Sequence, residues 1–296
     1  MGVKIQEICH YHAFGKAEPE TPRQVLALAS LVFEELLSKT ELPNNLSHLI
    51  ISTTCPDMLA PSLGQMLVEK YHAQLGSIAC IDMVQGCAGG VSALILASQL
   101  AQAGTSSVLV IAADVAQKAT SKSKLIHSIF GNGAFAVLLS YTEGEQGLLQ
   151  SQARQYKGLS EVVTVKLGHD ADALIMKHPK DMQTDPRKHL GLDMNNLLAV
   201  KLLKQAEDFF KELVAKSVMP DIMILHQVNP IIIAHLKQVF SKYPVRFIDF
   251  SGQTGNCGAA SVGIAFSKIY EECQGKKVLL CSYGTGGVIS GGIWTI

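Results

Sequence analysis

One series of elements is written twice along this 296-residue chain, and that repetition restricts the fold more than any single motif. Over residues 22–40, PRQVLALASLVFEELLSKT, apolar positions recur at helical spacing. The apolar strand HLIISTT follows. Pro61 then opens a helix through SLGQMLVEKYHAQLG, since proline is tolerated in a first helical turn. The strand SIACID, the helix VSALILASQLAQAG that follows Cys87 and ends at Gly104, and the strand SSVLVIAAD complete the unit. From Met194 the order returns as the helix MNNLLAVKLLKQAEDFFKELVAKS, the strand DIMIL and a helix opened by Pro230, PIIIAHLKQVFSK. The strand VRFIDF, the helix GAASVGIAFSKIYEEC and the strand KKVLLCSYG close it. Even the pair Ile-Asp recurs, at Ile81-Asp82 and Ile248-Asp249, each before a Gly-rich turn into a helix. Shared order and shared turn chemistry imply internal duplication.

The duplication predicts an α/β fold of two βαβαβ-like halves with right-handed crossovers, residues 1–145 and 146–296. Further strands fit at VKIQEICHY, GAFAVLLSY, GLLQSQARQY, VVTVKL and GGIWTI. Residues 168–193 carry little periodicity and read as a long surface excursion. Charged residues make up 17% of the chain and apolar ones 48%, which suits parallel strands buried on both faces.

Twenty-five basic side chains balance 25 acidic ones, so no charge excess draws the chain to nucleic acid or an anionic membrane surface. No apolar run reads as long enough to span a bilayer. The opening MGVKIQEICHYHAFGK lacks a signal peptide's apolar core, so the expected location is the cytoplasm. Seven cysteines without C-x-x-C spacing argue against both a disulfide framework and structural zinc. His10 and His12 share one strand face, but two ligands without a third make no metal site, and none is expected.

The chemistry gathers at strand ends, where ligands sit in open α/β sheets. Cys87, in DMVQGCAGGVSAL, stands where a strand hands over to a helix among small residues. Unpaired N–H groups and the helix dipole there favour thiolate, the nucleophilic form. A buried structural thiol is the plainer possibility. Overlaying the halves puts Asn256, in SGQTGNCGAASVG, near the position equivalent to Cys87, and HQVN, from His226, after the strand DIMIL. Histidine is the side chain suited to proton exchange with a thiol near neutral pH. Asn beside Gly also reads as turn chemistry, and a histidine at a strand end as a satisfied polar group. FGNGAFAVLL lacks the P-loop Lys-Ser/Thr and reads as a turn into a strand.

These residues resemble the thiolase-fold condensing enzymes, most closely 3-oxoacyl-acyl-carrier-protein synthase III. GCAGG with Cys87 looks like the nucleophile turn, HQVN is similar to His-Gln-Ala-Asn, and GNCGAAS is similar to Gly-Asn-Thr-Ser-Ala-Ala-Ser. FGNGA and YGTGG complete five motifs in the family's order. The resemblance implies a layered αβαβα fold. It implies that Cys87 takes an acyl group from a thioester, and that the backbone N–H groups of Cys87 and Thr285 form the oxyanion hole, about 3 to 4 kcal/mol per donor. His226 and Asn256 would hold a malonyl-type extender as it loses carbon dioxide, and its carbanion would attack the acyl-enzyme. Acyl-coenzyme A or acyl carrier protein would bring the substrates, with no cofactor and no metal. A homodimer is implied, a heterodimer with a second such chain being the variant.

Three features depart from the family's pattern. The N-terminal Trp and Arg-rich segment that contacts coenzyme A is missing from AFGKAEPETPRQ, and the basic residue after His-Gln-Ala-Asn is replaced by PIII. The aromatic that closes the acyl pocket appears as Ala60, beside Leu59, and both residues are assigned to that pocket. Papain-like peptidases share the order Cys, His, Asn, but not the local signature around the cysteine. Acyl transfer to an oxygen or nitrogen acceptor is also compatible with these residues, as is a partner subunit with little condensing activity.

Overall fold

The computed structural model describes residues 2–15, 24–117, 128–159, 163–164, 191–192, 196–215 and 218–296. The first half forms strands β1 (Gly2–Ala13), β2 (Leu46–Ser52), β3 (Ala79–Met83), β4 (Ser107–Val115) and β5 (Asn132–Thr142). They lie in one sheet in the order β1-β5-β4-β2-β3. The second half forms β6 (Gly147–Gln155), the short antiparallel pair β7 (Val163–Thr164) and β8 (Gly191–Leu192), then β9 (Ile222–Leu225), β10 (Arg246–Ile248), β11 (Lys277–Gly284) and β12 (Val288–Thr295). Its main sheet runs β10-β9-β11-β12-β6. The two orders are the same order read in corresponding strands. In both, three parallel strands are followed by two antiparallel ones. The predicted excursion at 168–193 lies outside the described residues, apart from β8.

Helices α1 (Val25–Lys39), α2 (Leu63–Lys70) and α3 (His72–Leu75) precede α4 (Gly89–Gly104). In the second half come α5 (Asn196–Ala215), α6 (Pro230–Phe240), α7 (Ser251–Thr254) and α8 (Ser261–Lys268). Alternation along the strands sorts the layers, because successive side chains point to opposite faces. Val108, Val110 and Ala112 join Val91, Leu94 and Ala97 of α4 and Val262, Ala265 and Phe266 of α8 in the central core. Ile222, Ile224, Val278 and Leu280 reach the same core from the second sheet. On the opposite face of the first sheet, Leu109 and Ile111 pack with Leu28, Phe33 and Leu67 of α1 and α2. Met223 and Leu279 do the same with Phe209, Phe210 and Leu236 of α5 and α6. The result is the expected five-layer αβαβα arrangement, with α4 and α8 between the sheets.

The central helices are close because their facing residues are small. A Cβ on Gly90 would collide with the carbonyl of Ala259, and one on Gly263 with the Phe135 ring. Phe135 is fully buried, and truncating such a side chain to alanine costs about 3 to 5 kcal/mol. By length and composition α4 with its leading turn is apolar enough to cross a membrane, contrary to the expectation that no segment is. That composition serves the central layer here, where most of its residues meet protein.

Pro61 does not open α2. Ser62 is the N-cap, accepting from Gln65 N while the Gln65 side chain accepts from Ser62 N, a reciprocal capping box. Asp82 of β3 reinforces this end by accepting from Ser62 Oγ at 2.7 Å and Gly64 N at 2.9 Å. The helix also breaks at Tyr71 and resumes as α3, ending at Gly76 with φ 60°. At α6 the expectation holds: Pro230 stands in the first turn and Asn229 Oδ1 accepts from Ile232 N at 2.9 Å.

Candidate active site

Cys87 lies in a 3-10 turn, Gly86–Ala88, that feeds α4. This turn packs on β11, on the turn Thr285–Gly287 and on the turn Gly258–Ala260. The thiol of the first half is therefore seated in the end of the second sheet. Two contacts fix it. Ser282 Oγ donates to the Cys87 carbonyl at 2.7 Å. Gly86, at φ 53°, lies so close to Thr285 that a Cβ there would sit 2.7 Å from Thr285 N and collide with Thr285 Oγ1. Only glycine fits that backbone conformation and that gap. The Thr285 amide thus stands beside the Cys87 turn.

His226 follows the last residue of β9. Leu225 pairs with Cys281 of β11, so His226 comes level with Ser282, the residue that grips the Cys87 carbonyl. It is 3% exposed, and its Nδ1 is buried with no hydrogen-bond partner among the described residues. Burial holds its pKa down at about 3, because the cationic form would have to leave water. His226 is a neutral imidazole at physiological pH.

Asn256 stands two residues before Gly258–Ala260, the counterpart of the Cys87 turn, and is 4% exposed. Its backbone is pinned by the Gly-rich segment before β5: Asn256 N donates to Ile129 O at 2.9 Å and Gly131 N to Asn256 O at 3.0 Å. The FGNGAFAVLL segment is accordingly a turn into a strand, and what it holds is Asn256. The amide oxygen accepts from Gly258 N at 3.0 Å and Ser261 Oγ at 3.4 Å. Both bonds use Oδ1, which orients the NH2 group as a donor.

The resting state of Cys87 differs from the sequence expectation. A helix start favours thiolate, yet burial pushes this thiol up to about 12, with the Asp114 carboxylate adding to the shift. Desolvation outweighs the local dipole, so the resting group is a thiol. Cys257, Cys273 and Cys281 are buried, as core cysteines are expected to be, and Cys80 is half-buried on the edge strand.

Leu59 lines an apolar hollow with Ile51, Pro56, Met58, Leu63 and Met83, between β2, edge strand β3 and the loop before α2. Ala60 is exposed and lies outside that lining. Among the described residues no group of three His, Cys, Asp or Glu side chains gathers as a metal site.

Sequence reasoning passes over two residues. Ser282 is hidden in an apolar strand, and Asp114 reads only as a polar strand end. Asp114 is 1% exposed and accepts from Thr53 Oγ1, Thr54 N, Thr54 Oγ1 and Ala259 N at 2.6 to 2.9 Å. An acid closing an otherwise apolar strand, SSVLVIAAD, is the signal that marks it.

Comparison with known proteins agrees with this geometry. The model of 3-oxoacyl-[acyl-carrier-protein (ACP)] synthase III matches residues 81–156, and that of its C-terminal part matches residues 216–296, together more than half of the chain. A beta-ketoacyl-[acyl-carrier-protein] synthase III of Streptococcus gordonii is 26% identical, covering 96% of this chain and 85% of the relative. The protein of the same name from Rickettsia prowazekii is 26% identical, covering 96% and 86%. The crystal structure of 3-oxoacyl-[acyl-carrier-protein] synthase III from Aquifex aeolicus superposes with a TM-score of 0.82 at 19% identity, over 100% of both chains. OleA of Xanthomonas campestris superposes at 0.81 with 16% identity, over 100% of this chain and 99% of the other. With both parts of the family present and the thiolase fold complete around Cys87, the chain belongs to the 3-oxoacyl-[acyl-carrier-protein] synthase III family of condensing enzymes.

Proposed function

We propose that the protein joins an acyl thioester to a malonyl-type thioester by decarboxylative Claisen condensation, with Cys87 as the acyl carrier. The observation that supports this best is the seating of the Cys87 turn against Ser282 and Thr285, level with His226. In the first step the Cys87 sulfur attacks the thioester carbonyl, a new S–C bond forms, the donor's C–S bond breaks, and the donor leaves as a thiol with the proton Cys87 loses. The amides of Cys87 and Thr285 bind the transient oxyanion. In the second, the extender's carboxylate departs as carbon dioxide and leaves its electron pair on the α-carbon. His226 and Asn256 donate hydrogen bonds to the enolate oxygen. Neutral donors in a site shielded from water stabilise that charge as it develops. The α-carbon then attacks the acyl carbonyl, the S–C bond to Cys87 breaks, and the sulfur regains a proton from solvent.

An acyl carrier protein is the partner we assign to the thioester, and a second copy of this chain the structural one. Among the described residues strand β3 pairs with β2 alone; it is half-exposed and is flanked by exposed Met58, Leu59 and Val84. Uncovered apolar strand edges are pairing sites. The assay is incubation with an acyl thioester and a malonyl thioester, reading 3-oxoacyl product and carbon dioxide. Equal amounts of both support the reading. Carbon dioxide without 3-oxoacyl product, or free acid alone, overturns it.

A further inference from the structure

We infer that Asp114 is a positioning residue that clamps the Asn256 turn of the second half onto the first half and sets the reactivity of Cys87 by its charge. The inference rests on the proposed condensation and names a group that reading does not use.

Asp114 is the last residue but one of β4, a buried acid set between the buried Ala113 and Val115. Its Oδ1 accepts from Thr53 Oγ1 at 2.9 Å and Thr54 N at 2.7 Å. Its Oδ2 accepts from Thr54 Oγ1 at 2.6 Å and, across the halves, from Ala259 N at 2.6 Å. A fifth and longer contact comes from Cys55 N at 3.4 Å. Each carboxylate oxygen thus takes a backbone N–H, a group that can only donate. A carboxylate in such a cradle is held as the anion by charge-assisted bonds even though burial pushes its pKa up. Gly258, at φ 56°, is required by the same contact, because a Cβ there would collide with Asp114 Oδ2. Ala259 lies one residue beyond Gly258, whose own N–H orients the Asn256 amide. Asp114 is therefore two steps from the proposed extender site.

The clamp has a counterpart. Overlaying β4 on β11 sets Asp114 against Gly284, and Ser282 on β11 holds the Cys87 turn as Asp114 holds the Asn256 turn. Each half grips the reactive turn of the other, but only one grip is charged. The Cys87 turn packs directly on the Gly258–Ala260 turn that Asp114 holds, so this charge stands behind the Cys87 turn and adds to the burial that pushes the thiol up. A buried anion opposes a second negative charge nearby, so Asp114 adds to the burial that keeps Cys87 protonated between turnovers.

The test uses Asp114→Asn and Thr54→Val on the full chain. The first removes the charge and leaves Ala259 N facing an NH2 group or a single oxygen. The second removes one hydroxyl donor and keeps the charge. Two rates are read: alkylation of Cys87 by iodoacetamide across pH, and malonyl decarboxylation relative to acylation. In Asp114→Asn, alkylation at neutral pH rises about tenfold, the effect of one unit charge in a partly shielded interior. In Thr54→Val it does not rise. In both, decarboxylation falls more than acylation, by about tenfold in Asp114→Asn. An Asp114→Asn protein with native alkylation, or with decarboxylation and acylation reduced equally, overturns the inference. If Asp114→Asn does not fold, Thr54→Val decides: an unchanged ratio of decarboxylation to acylation overturns it. Failure of the native protein to acylate Cys87 would instead overturn the proposed condensation, which separates the two.

Discussion

Ser282 Oγ donates to the carbonyl oxygen of Cys87 at 2.7 Å, tying the central strand of the second sheet to the turn that carries the thiol of the first. Ser282 is fully buried, so its removal leaves that carbonyl without its partner. An orphaned buried acceptor costs about 1 to 3 kcal/mol. Ser282→Ala is expected to lose stability on that scale in urea. It is also expected to acylate roughly tenfold more slowly, since about 1.4 kcal/mol on the barrier is tenfold in rate. Native acylation in a destabilised variant would confine the bond to a structural role.

The raised pKa of Cys87 gives a pH signature. With the folded value near 12 against an ordinary 9.0, the thiolate fraction grows about tenfold per pH unit throughout the neutral range. Alkylation of Cys87 should therefore climb without a plateau from pH 6 to pH 9. A plateau below pH 8 would mean a thiolate at rest. The sign for stability follows. A folded pKa above the unfolded one favours the folded state below the ordinary value, and that advantage is lost as pH rises past it. Thermal scans should show Tm falling above pH 9, where the unfolded thiol ionises first.

Strand β3 carries the dimer prediction. Native protein is expected to sediment as a dimer at micromolar concentration. Val84→Glu, which puts a charge beside the exposed edge, should shift it toward monomer. A native monomer would remove β3 as an interface, and a complex with a second condensing-enzyme chain would replace self-pairing.

The elements are legible in the sequence because periodicity is local. Six elements repeat in order, and the same alternation that marks a strand also sorts its side chains between core layers, as Val110 and Ile111 show. Cys87, His226 and Asn256 are legible as a set only because duplication relates their turns. What stays hidden is tertiary. The protonation of Cys87 depends on burial and, to a lesser degree, on Asp114, which lies on β4 and far along the chain from the Cys87 turn. Asp114 and Ser282 bind backbone atoms of the opposite half, and nothing in their own neighbourhoods announces that. The start of α2 is misplaced by the sequence pattern because Pro61 is the louder signal, while the capping box at Ser62 and Gln65 is the stronger bond set.

Chain length is the next expectation. Leu59 lines the apolar hollow beside β3, and Ala60 follows it as a small exposed residue. Each methylene buried from water contributes about 0.8 kcal/mol, roughly fourfold in binding. Medium or longer acyl donors should acylate Cys87 faster than acetyl donors on the same carrier. Leu59→Trp, which fills that hollow, should reverse the order. A preference for acetyl that the substitution does not change would detach this loop from the acyl pocket.

The central claim is that Cys87 carries the acyl group and that His226 and Asn256 act after it. Intact-mass spectrometry on native protein, Cys87→Ala, His226→Ala and Asn256→Ala, each incubated with one acyl thioester and then with malonyl thioester, tests it most directly. The account predicts a single adduct on the Cys87 peptide in the native protein and none in Cys87→Ala. It predicts an adduct in His226→Ala and Asn256→Ala that malonyl thioester no longer discharges. An adduct that survives Cys87→Ala, or is discharged at the native rate in both other variants, would contradict it.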